Sequence, residues 1–503
     1  MKSLRLARHV SKCLLPALCV VIVAAGTLKG LAISPADYAQ GTILVRPKSL
    51  RAQAALESLN SRLQCKAVAR YASLGDLHVV RLPPGADVPT MVAKYKASGL
   101  VEFAEPDYLR HIDGVSPNDP KYTDGTLWGL NNVGQSGGTP HADIDAPDAW
   151  AIQNSASNIV VALLDTGIRY THEDLAANVW NNPVDGTHGT NAIAGTTDPT
   201  DDNGHGTLLA GVIGGAGNNG KGIVGVTWRV QLMACKCFNS SGVSSDSAIL
   251  GCIAFAQANG ARIINASFDS TSFGQALSNA IYSASTAGII FVTSAGNNAT
   301  NIDAIPHYPA CYKIDNILSL AYTTRNDTMG RLSNFGATNV ALAAPGDQMY
   351  STFNSTDSSY YPPGGLGINI AGTSFAAAYA SGACALLLAK YPTEPYQITL
   401  ARILDGVDPI AALQGKCITG GRLNVYKALN PPLFLSPLPS LLARPVLRVS
   451  GGPNRTCVVE TSSNLNTWTP VYTNTTSLAG TFDFSDGQSP TTAGRFYRAT
   501  SAQ

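Results

Sequence analysis

Between residues 158 and 388, short apolar runs alternate with stretches of helical character, and nothing else in the chain constrains its fold as strongly. Residues 159–164 are almost continuously apolar, as expected of a parallel strand buried on both faces. Further strands are expected at 230–237, 262–268, 289–294, 317–322 and 340–343, and helices at 206–214, 246–258, 274–287 and 374–388. Strands alternating with helices predict an α/β domain, a mostly parallel sheet with helices on both faces. In such folds, sites gather at the carboxyl ends of the strands.

The flanking segments read differently. Lys2, Arg5, Arg8 and Lys12 precede an apolar run over 14–25, the pattern of a secretory signal peptide cleaved between Ala25 and Ser34. No later stretch has the ~18 uninterrupted apolar residues of a membrane span. Strands at 41–46, 77–82 and 100–104, with helical runs at 50–63 and 88–98, predict a small α+β domain. The turn-rich Ser116-Pro117-Asn118-Asp119-Pro120 is expected to be exposed, suited to a linker that is cut. Pro and Leu dominate 431–445, expected to be a second linker, and strands at 458–462, 467–472 and 496–498 predict a small β module.

Charged residues are only 13% of the chain, against an average of ~25%, which suits an exported protein. A net charge of +1 gives no reason to expect nucleic acid or an anionic membrane as partner. Of ten cysteines, Cys13 and Cys19 leave with the signal peptide. Export would permit disulfides among Cys65, Cys235, Cys237, Cys252, Cys311, Cys384, Cys417 and Cys457, with a pairing that sequence does not reveal. Cys235 and Cys237 flank Lys236 and share one strand face, without the Cys-x-x-Cys spacing of a zinc site.

Three polar clusters interrupt the apolar pattern. In Leu164-Asp165-Thr166-Gly167 an acid ends a buried strand. No second Asp-Thr-Gly or Asp-Ser-Gly exists for the paired carboxylates of an aspartic protease. In Asp202-Asn203-Gly204-His205-Gly206-Thr207 an imidazole between glycines opens a helix. In Gly372-Thr373-Ser374-Phe375-Ala376 a hydroxyl follows the Gly-rich loop 362–367 and begins a long apolar helix. Free N–H groups and the helix dipole favour negative charge at such a start. Singly, each cluster also reads as an ordinary turn, surface loop or helix cap.

Asp165, His205 and Ser374 occur in the chain order Asp, His, Ser, and with these motifs the chain resembles the subtilisin-like serine proteases (subtilase family). Ser294-Ala295-Gly296-Asn297-Asn298 resembles the family's oxyanion motif, which makes Asn297 the expected donor. Ser333-Asn334-Phe335-Gly336, Ala344-Pro345-Gly346 and the entry segment 128–150 extend the likeness over most of 128–430. The resemblance implies a signal peptide at 1–32, a propeptide at 33–113 that assists folding and inhibits, and a catalytic domain at 114–430. A linker at 431–445 and a β module at 446–503 would complete a secreted bacterial enzyme. It implies Ser374 as nucleophile, His205 as base and Asp165 as its orienting acid, acting on protein or peptide substrates. No cofactor for catalysis is implied. Ser267, Phe268, Asp269, Ser294 and Gly296 would contact substrate, and Asp174 with Asn219 would align with a structural calcium site.

Four positions depart from that family's pattern. Leu208 stands where a second histidine is usual, and Ala378-Tyr379 replaces Pro-His, which should leave the helix regular. Asp269 replaces a glycine where substrate backbone would run, so it would narrow the cleft or favour Lys and Arg over acidic residues. These departures keep open a second class of function, a catalytically weak subtilase-fold binding protein. A lipase or esterase is disfavoured, since no Gly-x-Ser-x-Gly elbow occurs and the triad order differs.

Overall fold

The computed structural model describes residues 38–501, apart from 84, 109–114, 363–370, 432, 439–445, 464–466, 478–479 and 487–494. The expected signal peptide, and most of the Gly-rich loop before Ser374, therefore lie outside the described residues. The chain divides into two compact units, Met1–Ile112 and Asp113–Gln503.

In the first unit, β1 (Tyr38–Pro47), α1 (Leu50–Arg62), β2 (Lys66–Tyr71), β3 (Leu77–Arg81), α2 (Val88–Ala97) and β4 (Val101–Tyr108) form an antiparallel sheet of order β2-β3-β1-β4 with two helices. Ser49 and Asp87 cap the helices by accepting from Ala52 N and Thr90 N. Ile43, Val45, Leu56, Val80 and Tyr95 fill its core. Strand β2 was not expected. Its residues are exposed or half-buried throughout, so it carries no period-2 apolar signal and owes its place to pairing with β3.

The second unit opens with α3 (Pro120–Thr123) and α4 (Ala146–Ile152). There follow β5 (Ser155–Asp165), β6 (Gly189–Asn191), α5 (His205–Gly214), β7 (Arg229–Lys236), α6 (Asp246–Ala258), β8 (Ile263–Ala266), α7 (Gln275–Thr286), β9 (Ile290–Ser294), β10 (Ile317–Thr323) and β11 (Leu342–Pro345). After the hairpin β12 (Ser351–Thr352) and β13 (Tyr360–Tyr361) come α8 (Thr373–Lys390), α9 (Tyr396–Asp405), β14 (Asp408–Pro409), β15 (Gly421–Arg422) and α10 (Val425–Leu429).

Nine strands make one sheet, of order β14-β15-β11-β10-β9-β8-β5-β7-β6, and every pair but β14–β15 is parallel. Apolar cores lie on both faces. One joins α5 and α8 to the sheet, and the other joins α6 and α7. The expected α/β architecture is present. Helix α8 is buried from Thr373 to Leu388, so it has no polar face and belongs inside the fold. It runs without a break through Ala378, as expected where no proline interrupts the ladder. The chain leaves β5 toward β7 and later returns to β8 on the other side of β5. The carboxyl end of β5 is thus a topological switch point, where α/β sheets open a crevice.

Two expectations are corrected here. Ser116, Asn118 and Pro120 are exposed, but Pro117 and Asp119 are buried. The Asp119 carboxylate accepts from Asn218 N and Asn219 N at 2.7 and 3.2 Å, which ties the turn to the domain. The expected linker 431–445 contains a strand, β16 (Phe434–Leu438), which pairs with β17 (Val446–Ser450). Pro437 is accommodated because β16 is an edge strand. With β18 (Thr456–Ser462), β19 (Thr469–Thr475), β20 (Thr481–Ser485) and β21 (Phe496–Ser501), the C-terminal module holds two three-stranded antiparallel sheets over Leu447, Val449, Cys457, Val459 and Phe484. All eight described cysteines are buried free thiols, and no disulfide joins them.

Candidate active site

Strand β5 delivers Asp165 to the switch point as its last residue, 3% exposed. His205 begins α5, and its Nδ1 lies 2.8 and 2.9 Å from the two Asp165 carboxylate oxygens. The approach is possible because Gly206 has no side chain: a Cβ there would meet Asp165 Oδ1 at 3.2 Å and clash with the Gly167 carbonyl. Burial disfavours the imidazolium, but the charge and hydrogen bond of Asp165, with Asp201 beyond, outweigh it and raise His205 above its ordinary value. The imidazole is still 37% exposed on its open side.

Asp201 was not singled out from sequence, yet it organises this corner. Its carboxylate, 5% exposed, accepts from Thr166 Oγ1, Asn203 N, Gly204 N and both Thr207 N and Oγ1 at 2.5–3.0 Å. It thereby satisfies free N–H groups at the start of α5 and fixes the loop bearing Asp165 to the turn bearing His205. Lys236 does similar work from β7: its buried Nζ donates to Thr166 O and Asp202 Oδ1, both at 2.6 Å. A lone lysine in the apolar run Val230-Gln231-Leu232-Met233-Ala234-Cys235-Lys236 was the available signal.

Ser374 lies in the first turn of α8, 8% exposed, and its carbonyl accepts from Ser267 Oγ at 3.4 Å. Asn297 follows β9 and meets the same helix start. Its Oδ1 accepts from Thr373 N at 2.9 Å and Thr373 Oγ1 at 3.1 Å, so the amide NH₂ is the end left for another acceptor. Gly296 holds φ +103, the left-handed region that favours glycine, and Asn334 braces the turn by bonding Ala295 O, Asn298 N and Thr300 N at 2.9 Å each. Ser294 is the buried end of β9. Asp165 and His205 are thus in direct contact, and Asn297 is locked to the residue before Ser374. The Ser374 hydroxyl is not hydrogen-bonded to His205, and such contacts commonly tighten only when substrate binds.

A cavity of about 330 Å³ is bordered by Asp165, His205, Ser267, Phe268 and Asp269. Phe268 and Asp269 also border a neighbouring cavity of about 350 Å³. Asp269 is not directed freely to solvent; its Oδ2 lies 2.5 Å from His307 Nδ1. Leu208 is buried in α5, and Tyr379 is buried with its hydroxyl packed against Gly129.

Away from the cleft, Asn219 Nδ2 donates to Asp174 Oδ1 at 2.8 Å, and Asp174 Oδ2 accepts from Ile223 N and Tyr360 OH. The structure adds Asp119 to this pair. Both carboxylates are fully buried, and burial, with the charge of Asp174, pushes the Asp119 carboxyl up. Among the described residues no three His, Cys, Asp or Glu side chains converge as a metal site. The Asn219 amide oxygen accepts from Lys221 N at 2.8 Å, so the two buried carboxylates are the donors here that suit a hard cation.

Residues 156–403 match the model of the subtilase family, and residues 32–107 match that of the fervidolysin N-terminal prodomain. The chain is 27% identical over 402 residues to the thermophilic serine proteinase of Bacillus sp. (strain AK1), covering 78% of this chain and 88% of that one. It is 31% identical over 287 residues to thermitase of Thermoactinomyces vulgaris, covering 57% and 94%. To subtilisin DY of Bacillus licheniformis it is 35% identical over 251 residues, covering 50% and 84%. Among solved structures, a protease of Pseudoalteromonas arctica PAMC 21717 aligns with a TM-score of 0.52 at 25% identity, over 63% of this chain and 99% of that one. The chain belongs to the subtilase family and is a serine protease with an N-terminal prodomain.

Proposed function

We propose that this protease is a secreted endopeptidase, made as a prepro-enzyme, that cleaves peptide bonds through an acyl-enzyme on Ser374. The observation that carries the reading is the hydrogen-bonded Asp165–His205 pair at the same strand ends as an Asn297 amide anchored beside Ser374. In this reading His205 Nε2 takes the proton from Ser374 Oγ as the hydroxyl attacks the scissile carbonyl. Asp165 keeps the proton on Nδ1, which leaves Nε2 basic, and stabilises the imidazolium that forms. The tetrahedral oxyanion is met by the Asn297 amide and the Ser374 N–H at the positive end of α8. His205 then protonates the leaving amine, and water hydrolyses the ester.

Replacing Asn297 by Ala removes one donor that acts only on the transition state. It is expected to lower kcat by roughly 10²–10³ with KM nearly unchanged, a magnitude known from subtilisin itself. A raised KM with unaltered kcat would remove Asn297 from the oxyanion site.

The first unit serves, in this reading, as folding assistant and inhibitor until it is removed. Secretion is supported by the charged and apolar N-terminal pattern, and no helix of the described residues is long and apolar enough to cross a membrane. Asp119, Asp174 and Asn219 would hold a structural calcium ion, outside the chemistry. Calcium in excess over Kd is expected to raise Tm with the logarithm of its concentration, by about 2.7 kcal/mol of stabilisation at a hundredfold excess. Asp119→Asn should abolish the effect, and melts identical in calcium and chelator would remove the site. Casein hydrolysis by the processed protein tests the whole reading. A processed, folded chain that leaves casein intact would favour a binding role instead.

A further inference from the structure

We infer that Asp269, held in place by His307, selects a lysine or arginine side chain in the substrate residue that supplies the scissile carbonyl. The inference rests on the peptidase reading above and names the substrate class of that same cleft. Two strand ends build the recess: β8 runs into Ser267-Phe268-Asp269, and β9 runs into Ala295-Gly296-Asn297. The contact of Ser267 Oγ with the Ser374 carbonyl puts the first segment against the nucleophile. A carbonyl received by the Asn297 amide brings its own residue against Gly296. The space in front of Gly296 is shared by the Asn334 amide, which lies nearest, and by Asp269, whose Oδ2 stands 2.9 Å from where a Gly296 Cβ would be.

The carboxylate is anchored. His307, with its side chain 7% exposed, donates from Nδ1 to Asp269 Oδ2 at 2.5 Å, and the Asn334 amide packs beside the ring. A carboxylate can only accept in this contact, so the proton belongs to Nδ1. Oδ2 is therefore occupied while Oδ1 remains for a ligand, on a side chain 25% exposed. Carboxylates are the permanently charged groups that border the cleft. Asp165 and Asp269 border the first cavity and Asp246 and Asp269 the second, and among the described residues no lysine or arginine borders either. The Phe238 and Phe268 rings, 5.3 Å apart between centroids, border both cavities and offer faces that attract a cation. An anchored carboxylate in a cleft without a competing cation favours a cationic side chain and repels an acidic one.

The test uses three peptides that differ only in the residue before the scissile bond: lysine, norleucine or glutamate. Initial rates are measured with the processed protein. Equilibrium binding of the same peptides is measured on the Ser374→Ala chain, nicked between its two units by limited proteolysis. The lysine-to-glutamate ratio is expected to be on the order of tenfold or more in both. Asp269→Asn should bring it near one. His307→Ala should lower it, and His307→Asn, which keeps a donor near the Nδ1 position, should restore most of it; a merely structural role for His307 would not follow the charge of the peptide. A ratio unmoved by Asp269→Asn would overturn the inference. Charge-selective binding without hydrolysis would sink the peptidase reading, and the assignment to a scissile residue with it, while leaving the charge selection by Asp269 in place.

Discussion

Ser374→Ala is expected to lower kcat by roughly 10⁶ while the protein keeps its fold, the magnitude found when subtilisin loses its own nucleophile. The fold should survive because the change deletes one oxygen from a residue in the first turn of α8. The hydrogen bonds that fix that turn involve other atoms: Asn297 Oδ1 bonds Thr373, and Ser267 Oγ reaches the Ser374 backbone carbonyl. Alanine is also the best helix former, so the helix itself loses nothing. The residual rate over water should be that of the oxyanion site and binding alone. Steady-state kinetics on a peptide amide, with circular dichroism as the check on folding, give the result. A loss of only tenfold would mean that another group carries the chemistry.

Asp165→Asn is the second large effect, expected to cost about 10⁴ in kcat with geometry preserved. The amide can still meet His205 Nδ1, but by donating to it, which places the imidazole proton on Nε2 and removes the base from Ser374. The sign of the pH response follows from the shift. His205 is raised above its ordinary 6.5 because Asp165 and Asp201 outweigh the burial that disfavours its charge. Only neutral imidazole accepts the serine proton, so kcat/KM of the wild type should climb with pH through an inflection above 6.5 and fall as pH drops below it. Without the Asp165 charge the inflection should move down. Residual Asp165→Asn activity with an unmoved inflection would show that the histidine being titrated is not under Asp165's control.

Much of the fold and of the site is legible in the residues themselves. The central strands are apolar on both faces, so β5 and β7 to β11 stand out without alternation, and Asp165 is conspicuous because it ends such a run. Helix α6 falls on the expected residues, Asp246–Ala258, where Ser245 supplies its cap. The rest is hidden for a common reason, which is that the residues concerned act through partners far along the chain. Asp269 and His307 lie 38 residues apart, and Lys236 and Thr166 lie 70 apart; neither pairing leaves a local motif. Asp119 sits in a Pro-Asn-Asp-Pro turn that reads as surface, and is buried because Asn218 and Asn219 donate to it from about 100 residues away. Strand β16 is masked by Pro437, which argues against a central strand and is harmless at an edge. The motifs name the chemistry, whereas the surroundings that orient it become visible only when the chain is folded.

The central claim, that Ser374 is the nucleophile activated by His205, is tested most directly by labelling the processed protein with a fluorophosphonate and mapping the adduct by peptide mass spectrometry. One adduct is expected, on Ser374, formed in the wild type and absent from His205→Ala. No adduct on the folded protein, or an adduct on a different serine, would contradict the claim.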